Sequence, residues 1–177
     1  MPALTAAASS LLVIDMQERL MRAIDDAEAR TAAAARLIAA ARMLEIPRVV
    51  SEQKPEKLGP TVAELQIAPG EALAKMSFDC CGSPSLARSL DGESDLVICG
   101  VESHVCVLQT VLSLRATGRA VAVVADATGS RKESDRQAAF ARMRDHGAEI
   151  VTSEMVLFEW MGTAEHPRFR DISALVR

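Results

Sequence analysis

The sequence contains neither asparagine nor tyrosine, and only five of its 177 residues are aromatic, four Phe and one Trp. Without asparagine the chain has no N-glycosylation acceptor and cannot build a Cys-His-Asn protease triad. Its longest apolar runs, such as Leu96–Cys99 and Ala120–Ala125, are far shorter than the roughly 20 residues of a membrane span. No membrane helix is therefore expected.

Signature motifs of several enzyme classes are also missing. The sequence has no G-x-S-x-G, G-x-x-x-x-G-K-[ST], G-x-G-x-x-G or H-E-x-x-H. Their absence argues against a serine-elbow hydrolase, a P-loop protein, a dinucleotide-binding protein and a zincin. The net charge is −4, and with so few aromatic residues a nucleic-acid partner is not expected.

The cysteines and the start of the chain bear on the cellular compartment. Cys80, Cys81, Cys99 and Cys106 have neither metal-type spacing nor the pattern of a secreted disulfide framework. We interpret them as free thiols. The first residues lack the basic region of a secretory signal, so a cytoplasmic location is expected.

Short apolar runs alternate with helical patterns along the chain. Nearly continuous apolar runs are typical of strands that are covered on both faces. The predicted strands are Leu11–Ile14, Arg48–Ser51, Ala72–Lys75, Asp95–Cys99, Ala120–Ala125 and Glu149–Thr152. The predicted helices are Asp26–Leu44, Pro84–Leu90, Ser103–Thr117, Glu133–His146, Ser153–Met161 and Pro167–Val176. This order predicts one α/β domain over residues 1–177, a three-layer α-β-α sandwich with an open, mostly parallel six-stranded sheet.

Three reactive side chains follow three of these strands. Asp15 comes directly after the first strand, Lys75 ends the third, and Cys106 lies in the first helical turn after the fourth. Ligands of open α/β sheets bind beyond the carboxyl ends of the strands. The sequence therefore predicts that a carboxylate, an amine and a thiol meet in one cleft.

Such a cluster can carry nucleophilic catalysis. A helix N-terminus and a nearby ammonium are expected to lower the pKa of Cys106 from about 8.5 toward about 3.5–7.5. Asp15 can then transfer protons to a leaving amine and from water. Taken singly, Cys106 also suits a packed core thiol, Asp15 a helix cap, and Lys75 a solvated surface cation.

Three segments resemble the signatures of the isochorismatase-like cysteine hydrolases. They are LLVIDMQ at 11–17, KMSF at 75–78 and GVESHVCV at 100–107. Three further segments, SEQKPEKLGPTVAEL at 51–65, VVADATGSR at 123–131 and TSEMVLFEWMG at 152–162, are similar to the isochorismatase domain-containing subgroup. The resemblance covers nearly the whole chain and implies the isochorismatase-like hydrolase fold, which is Rossmann-like.

The resemblance also implies roles for individual residues. Asp15, Lys75 and Cys106 would form a catalytic triad. A cis peptide between Val101 and Glu102 would turn the backbone N–H groups of Glu102 and Cys106 toward the substrate as an oxyanion hole. By position, the substrate pocket is expected to include Gln17, Leu20, Gln53 and Phe78.

The chain departs from the nicotinamidases at their metal site. Those enzymes carry an Asp-x-His type site after the second strand, where this chain has Ser51, Glu52 and Gln53. Its histidines, at 104, 146 and 166, are scattered. Neither a metal nor another cofactor is therefore expected.

We predict a metal-independent cysteine hydrolase, which hydrolyses a small amide, carbamate or related carbonyl compound through a thioester on Cys106. One alternative is hydrolysis of an isochorismate-type enol ether with Asp15 as general acid. The other is a non-catalytic binding or scaffold protein, in which the segment Met155–Met161 forms an interface. A small-molecule substrate and a homo-oligomer are expected.

Overall fold

The computed structural model describes residues 2–176, and its centre is a six-stranded sheet. The strands are β1 (Ser9–Ile14), β2 (Arg48–Gln53), β3 (Ala72–Lys75), β4 (Asp95–Val101), β5 (Val121–Gly129) and β6 (Glu149–Val151). Their order is β3-β2-β1-β4-β5-β6, and every neighbouring pair is parallel. The predicted fold class is confirmed.

Helices connect these strands and cover both faces of the sheet. They are α1 (Glu18–Met21), α2 (Ala27–Met43), α3 (Pro55–Leu58), α4 (Pro84–Ser89), α5 (Leu108–Ala116), α6 (Glu133–Asp145), α7 (Ser153–Met161) and α8 (Phe169–Ser173). Gly118 and Gly147 follow α5 and α6 with a φ of +83° each, as predicted for helix-ending glycines. Within residues 2–176, no helix is both long and apolar enough to cross a membrane.

The central strand β1 contributes to both halves of the core. Leu11 and Val13 pack with residues of α2 and α7, whereas Leu12 and Ile14 pack with residues of α5 and α6. All four side chains are fully buried. Burial of each such side chain stabilises the fold by roughly 1.5–3 kcal/mol, so the end of β1 is rigidly placed.

Helix α7 turns most of its apolar residues inward. Trp160 and Met161 are buried, and the indole Nε1 of Trp160 donates to Ser9 Oγ at 3.0 Å. Met155 and Phe158 are the exposed apolar residues of this helix. The interface predicted for Met155–Met161 would therefore lack the tryptophan, because that side chain belongs to the core.

The predicted helix Ser103–Thr117 has two parts. Its first turn, Ser103–Val107, is π-helical, and α5 follows it. A π-helical turn holds one more residue than an α-turn and is frequent at functional sites. The turn carries Cys106, so the placement of this thiol depends on an irregularity that hydrophobic periodicity does not reveal.

The order of the strands creates a switch point between β1 and β4. The chain builds outward from β1 through β2 to β3 and then returns to the other side of β1 for β4. The two strands approach closely at Gly100, where an added Cβ would lie 2.1 Å from the carbonyl oxygen of Ile14. Open α/β sheets bind ligands at such a switch point.

We expect Gly100→Ala to destabilise the protein strongly. The new methyl group would collide with the β1 backbone, and the φ of +127° is unfavourable for alanine. The two effects together predict a loss of roughly 3–5 kcal/mol in the free energy of unfolding, measured by urea denaturation.

Gly92→Ala is the matched control for this experiment. Gly92 has a similarly positive φ of +114°, but nothing lies within 4 Å of its added Cβ. We expect a loss of about 1 kcal/mol there. Equal losses at the two positions would show that the contact with β1 does not matter.

Candidate active site

A buried ion pair lies at the carboxyl ends of β1 and β3. Lys75 Nζ is 2.7 Å from Asp15 Oδ2, and neither side chain has exposed surface. Removing one partner of a buried pair leaves an uncompensated charge, which typically costs roughly 3–5 kcal/mol. The fold therefore holds the two groups together, and we refer to them below as the buried ion pair.

Lys75 is surrounded by further acceptors. Its ammonium group also donates to Gln53 Oε1 at 2.7 Å and to the carbonyl oxygens of Ser77 and Phe78 at 3.2 and 3.1 Å. Burial alone would lower the pKa of Lys75, but the charge and hydrogen bond of Asp15 lead the opposing effects, and the pKa is raised. Lys75 is therefore a fixed cation.

Asp15 is held by its backbone as well as by its carboxylate. Its φ of 52° places it in the left-handed region, and its N–H donates to the carbonyl oxygen of Ser51 at 3.1 Å. The hydroxyl of Ser51 donates to Asp15 Oδ1 at 2.7 Å. Asp15 does not cap α1, because Gln17 occupies the N-cap position. Both carboxylate oxygens thus have a donor within the protein.

Cys106 faces the buried ion pair from the π-helical turn and is 5% exposed. Burial raises the pKa of its thiol to about 12, with Asp15 adding to the shift and Lys75 opposing it. The predicted fall of this pKa is therefore wrong. Lys75 is already neutralised by Asp15, so a thiolate would add an uncompensated negative charge in a desolvated place.

Glu102 marks the end of β4 and begins the turn that carries Cys106. The peptide bond between Val101 and Glu102 is cis, and no described residue accepts a hydrogen bond from the Glu102 N–H. The Glu102 carboxylate accepts from Arg131 Nε at 2.8 Å. His104 Nδ1 lies 3.0 Å from Ser130 Oγ, so its ring is engaged away from the thiol.

The four predicted pocket residues differ in what they offer a ligand. Gln17 is fully buried, and its amide bonds to the backbone of Gln53 and Gly59. The side-chain oxygen of Gln53 accepts a hydrogen bond from Lys75 of the buried ion pair. Leu20 packs partly against the core, and Phe78 is 53% exposed. Phe78 alone of the four has a largely open side chain.

A cavity of about 330 Å³ opens next to β3. Its lining residues are Pro55, Glu56, Ala74, Lys75, Met76, Ser77, Gly82, Ser83 and Pro84. Neither Asp15 nor Cys106 contributes to it. This cavity is therefore not the space in which a substrate would meet the thiol.

The last three residues of β2 make contacts inside the protein. Ser51 and Gln53 bind the buried ion pair, and Glu52 Oε1 accepts from the N–H and the hydroxyl of Thr61 at 2.7 and 2.8 Å. Within the part of the chain that the structure describes, no group of three or more His, Cys, Asp or Glu residues is arranged to hold a metal ion.

Sequence reasoning missed the contributions of Ser51 and Cys80. Ser51 pairs with Ile14 in the sheet register, directly before Asp15, so its position could be inferred only once the alignment of β1 with β2 was known. Cys80 has no exposed surface, and its Sγ lies 3.8 Å from Ser51 Oγ. A cysteine in a loop gives no sequence signal for this contact.

Comparisons with known proteins bear on the family and the fold of this chain. Residues 9–155 match the isochorismatase domain. The human isochorismatase domain-containing protein 2 is 40% identical over 172 residues, which cover 96% of this chain and 83% of that protein. The structure of MAR1 ribonuclease from Caenorhabditis elegans has a TM-score of 0.90 and 36% identity, covering 98% of this chain and 91% of the nematode chain.

A bacterial structure extends the likeness in fold. The YcaC gene product of Escherichia coli, an octameric hydrolase of unknown specificity, has a TM-score of 0.88 and 24% identity, covering 98% of this chain and 96% of that one. The chain belongs to the isochorismatase family. Self-association and a cytoplasmic location of this chain stay predictions.

We expect Asp15→Asn to lower the pKa of Cys106. The Asp15 charge and its hydrogen bond both raise that pKa, and asparagine removes the charge while keeping a similar shape. Alkylation of Cys106 by iodoacetamide should reach half of its maximal rate at a lower pH in the variant. Peptide mapping by mass spectrometry measures the rate at each pH.

Cys81 is an internal control in the same digests. Burial and Asp79, rather than Asp15, raise the pKa of Cys81 to about 12. Its alkylation profile should not change in Asp15→Asn. An unchanged profile for Cys106 in the variant would show that Asp15 does not act on this thiol.

Proposed function

We propose that this protein is a hydrolase that uses Cys106 as a nucleophile on small amides, carbamates or related carbonyl compounds. One observation carries the proposal: the charges of a fully buried Asp15–Lys75 pair both act on the same thiol. A nucleophile, a proton acceptor and a fixed cation together meet the requirements of thiol catalysis.

The raised pKa of Cys106 defines the first chemical step. The resting thiol is neutral, so its proton passes to the Asp15 carboxylate as the sulfur attacks the substrate carbonyl. Lys75 compensates the negative charge that appears on sulfur during this transfer. The S–C bond forms and the carbonyl electrons move to oxygen, which gives a tetrahedral intermediate.

The intermediate then collapses and the enzyme is restored. The C–N bond breaks, and the proton held by Asp15 passes to the departing amine, leaving a thioester on Cys106. Water attacks the thioester while Asp15 takes one of its protons. The sulfur leaves and regains that proton, so the net reaction consumes one amide and one water and yields an acid and an amine.

Backbone donors complete the proposed site. The N–H groups of Glu102 and Cys106 belong to the turn that presents the sulfur, and the Glu102 N–H has no acceptor among the described residues. Donors aimed at a developing oxyanion lower the barrier by roughly 3–4 kcal/mol each. No metal ion takes part in the proposed steps, because Ser51, Glu52 and Gln53 already have hydrogen-bonded partners inside the protein.

RNA is a second candidate substrate, because the nematode relative is described as a ribonuclease. RNA-binding surfaces usually carry excess positive charge and stacking aromatic side chains. This chain has a net charge of −4, and its single tryptophan is buried. We therefore rank small carbonyl compounds first and keep RNA as an arm of the test.

A screen for ammonia release from small amides and carbamates tests the proposal. We expect turnover by the wild type and a loss of at least about 100-fold in both Cys106→Ala and Asp15→Asn, because one removes the nucleophile and the other the proton acceptor. Intact-mass spectrometry after rapid quenching should detect an acyl adduct that Cys106→Ala lacks.

Parallel arms separate the alternatives. Enol-ether hydrolysis that survives Cys106→Ala but not Asp15→Asn would favour Asp15 as a general acid without thiol chemistry. RNA cleavage that depends on Cys106 would replace the substrate class. Equal amide turnover by Cys106→Ala and the wild type would refute the proposal, and Cys81→Ala should behave as the wild type in every arm.

A further inference from the structure

A second layer of buried polar groups lies behind the buried ion pair. The Ser51 hydroxyl donates to Asp15 Oδ1 at 2.7 Å, on the oxygen that Lys75 does not bind. Cys80 Sγ is 3.8 Å from Ser51 Oγ, within reach of a weak hydrogen bond from the thiol. Asp15, Ser51 and Cys80 are each fully buried, so water does not compete for these contacts.

The same layer extends to the backbone of the nucleophile. The Cys80 N–H donates to Thr110 Oγ1 at 3.0 Å, and that hydroxyl donates to the carbonyl oxygen of Cys106 at 2.7 Å. Cys80 therefore contacts both Ser51, which binds Asp15, and Thr110, which binds the backbone of the turn that carries Cys106. The catalytic steps described above use neither Ser51 nor Cys80.

We propose that Ser51 is a positioning residue that holds the Asp15 carboxylate and aims its second oxygen at Lys75 and Cys106, with Cys80 supporting the serine hydroxyl. This inference rests on the proposed function only in giving Asp15 the role of proton acceptor. A hydrogen bond donated to a carboxylate favours the ionised form. Hydrogen bonds to charged groups contribute more than those between neutral groups.

The hydroxyl has a single direction in which to donate. One proton is available on Ser51 Oγ, and the structure gives it to Asp15 Oδ1. The thiol of Cys80 can donate a hydrogen bond to a lone pair of the same serine oxygen. The serine hydroxyl still donates its own proton to the Asp15 carboxylate. Burial raises the pKa of Cys80, so this thiol stays protonated and able to donate.

The titratable groups that face Asp15 come from three elements. Lys75 lies at the end of β3, Cys80 in the loop after it, and Cys106 in the π-helical turn after β4. Ser51, on β2, is uncharged. Lys75 is common to the wild type and to every Ser51 variant, so a change of Ser51 isolates the contribution of one hydroxyl.

The test is a pH titration of the Asp15 carboxyl by carbon-13 NMR, with labelled aspartate and with Asp15→Asn to assign the signal. In Ser51→Ala we expect Asp15 to take up a proton at a pH about one unit higher than in the wild type, because the ionised form loses a donor. In Ser51→Thr, which keeps the hydroxyl, the midpoint should return to within a few tenths of the wild-type value.

Two cysteine variants complete the design. Cys80→Ala should raise the midpoint by less than Ser51→Ala, because the serine proton can still reach Asp15. Cys81→Ala should leave it unchanged, since Cys81 is a neighbouring cysteine that contacts Asp79 rather than Ser51. Circular dichroism checks that each variant is folded, and Ser51→Thr remains informative even when Ser51→Ala is not folded.

The outcomes are distinct from those of the hydrolysis test. Equal Asp15 midpoints in Ser51→Ala and the wild type, or an upward shift in Ser51→Thr as large as that in Ser51→Ala, would overturn the inference whatever the substrate is. If the hydrolysis test refuted a thiol-dependent function, the result of the Asp15 titration would still be valid. The positioning role would be supported if Ser51→Ala raised the Asp15 midpoint while Ser51→Thr and Cys81→Ala both kept the wild-type midpoint.

Discussion

The Asp15–Lys75 ion pair is the constraint on which the site depends. Two opposite charges with no exposed side-chain surface are tolerated only where the remaining donors and acceptors are satisfied. The protein meets this condition with the carbonyl oxygens of Ser77 and Phe78 and the amide oxygen of Gln53. The loop after β3 is consequently folded around an ammonium group, and its shape follows from the positions of these acceptors.

The pair also decides the state of the thiol. Its two charges cancel at a separation of 2.7 Å, so a third group placed beside them gains little from Lys75 and is repelled by Asp15. Cys106 therefore rests as a thiol, and the proton acceptor must lie within the pair itself. This differs from a helix-activated cysteine, in which the thiolate exists before the substrate arrives. In the proposed mechanism, by contrast, ionisation of the sulfur is coupled to its attack on the substrate, because the resting thiol is neutral.

Sequence alone was sufficient for the architecture and for the meeting of Asp15 with Lys75, because both follow from apolar strands and from the residues that end them. Asp15 and Lys75 could be found as the polar residues at two strand ends. It was not sufficient for the ionisation of Cys106, since that depends on burial and on a neutralising partner 60 positions away from Asp15. Sequence reasoning also missed the π-helical turn. It missed the structural role of Gln17 as well, whose side-chain amide donates to the backbone carbonyl oxygens of Gln53 and Gly59.

Ser51 and Gln53 show how the end of one strand can hold both members of a buried ion pair. They are two residues apart on β2, so their side chains leave the same face of the sheet, and each binds one member of the ion pair. One hydroxyl and one amide thereby fix the acid and the cation from a single rigid element.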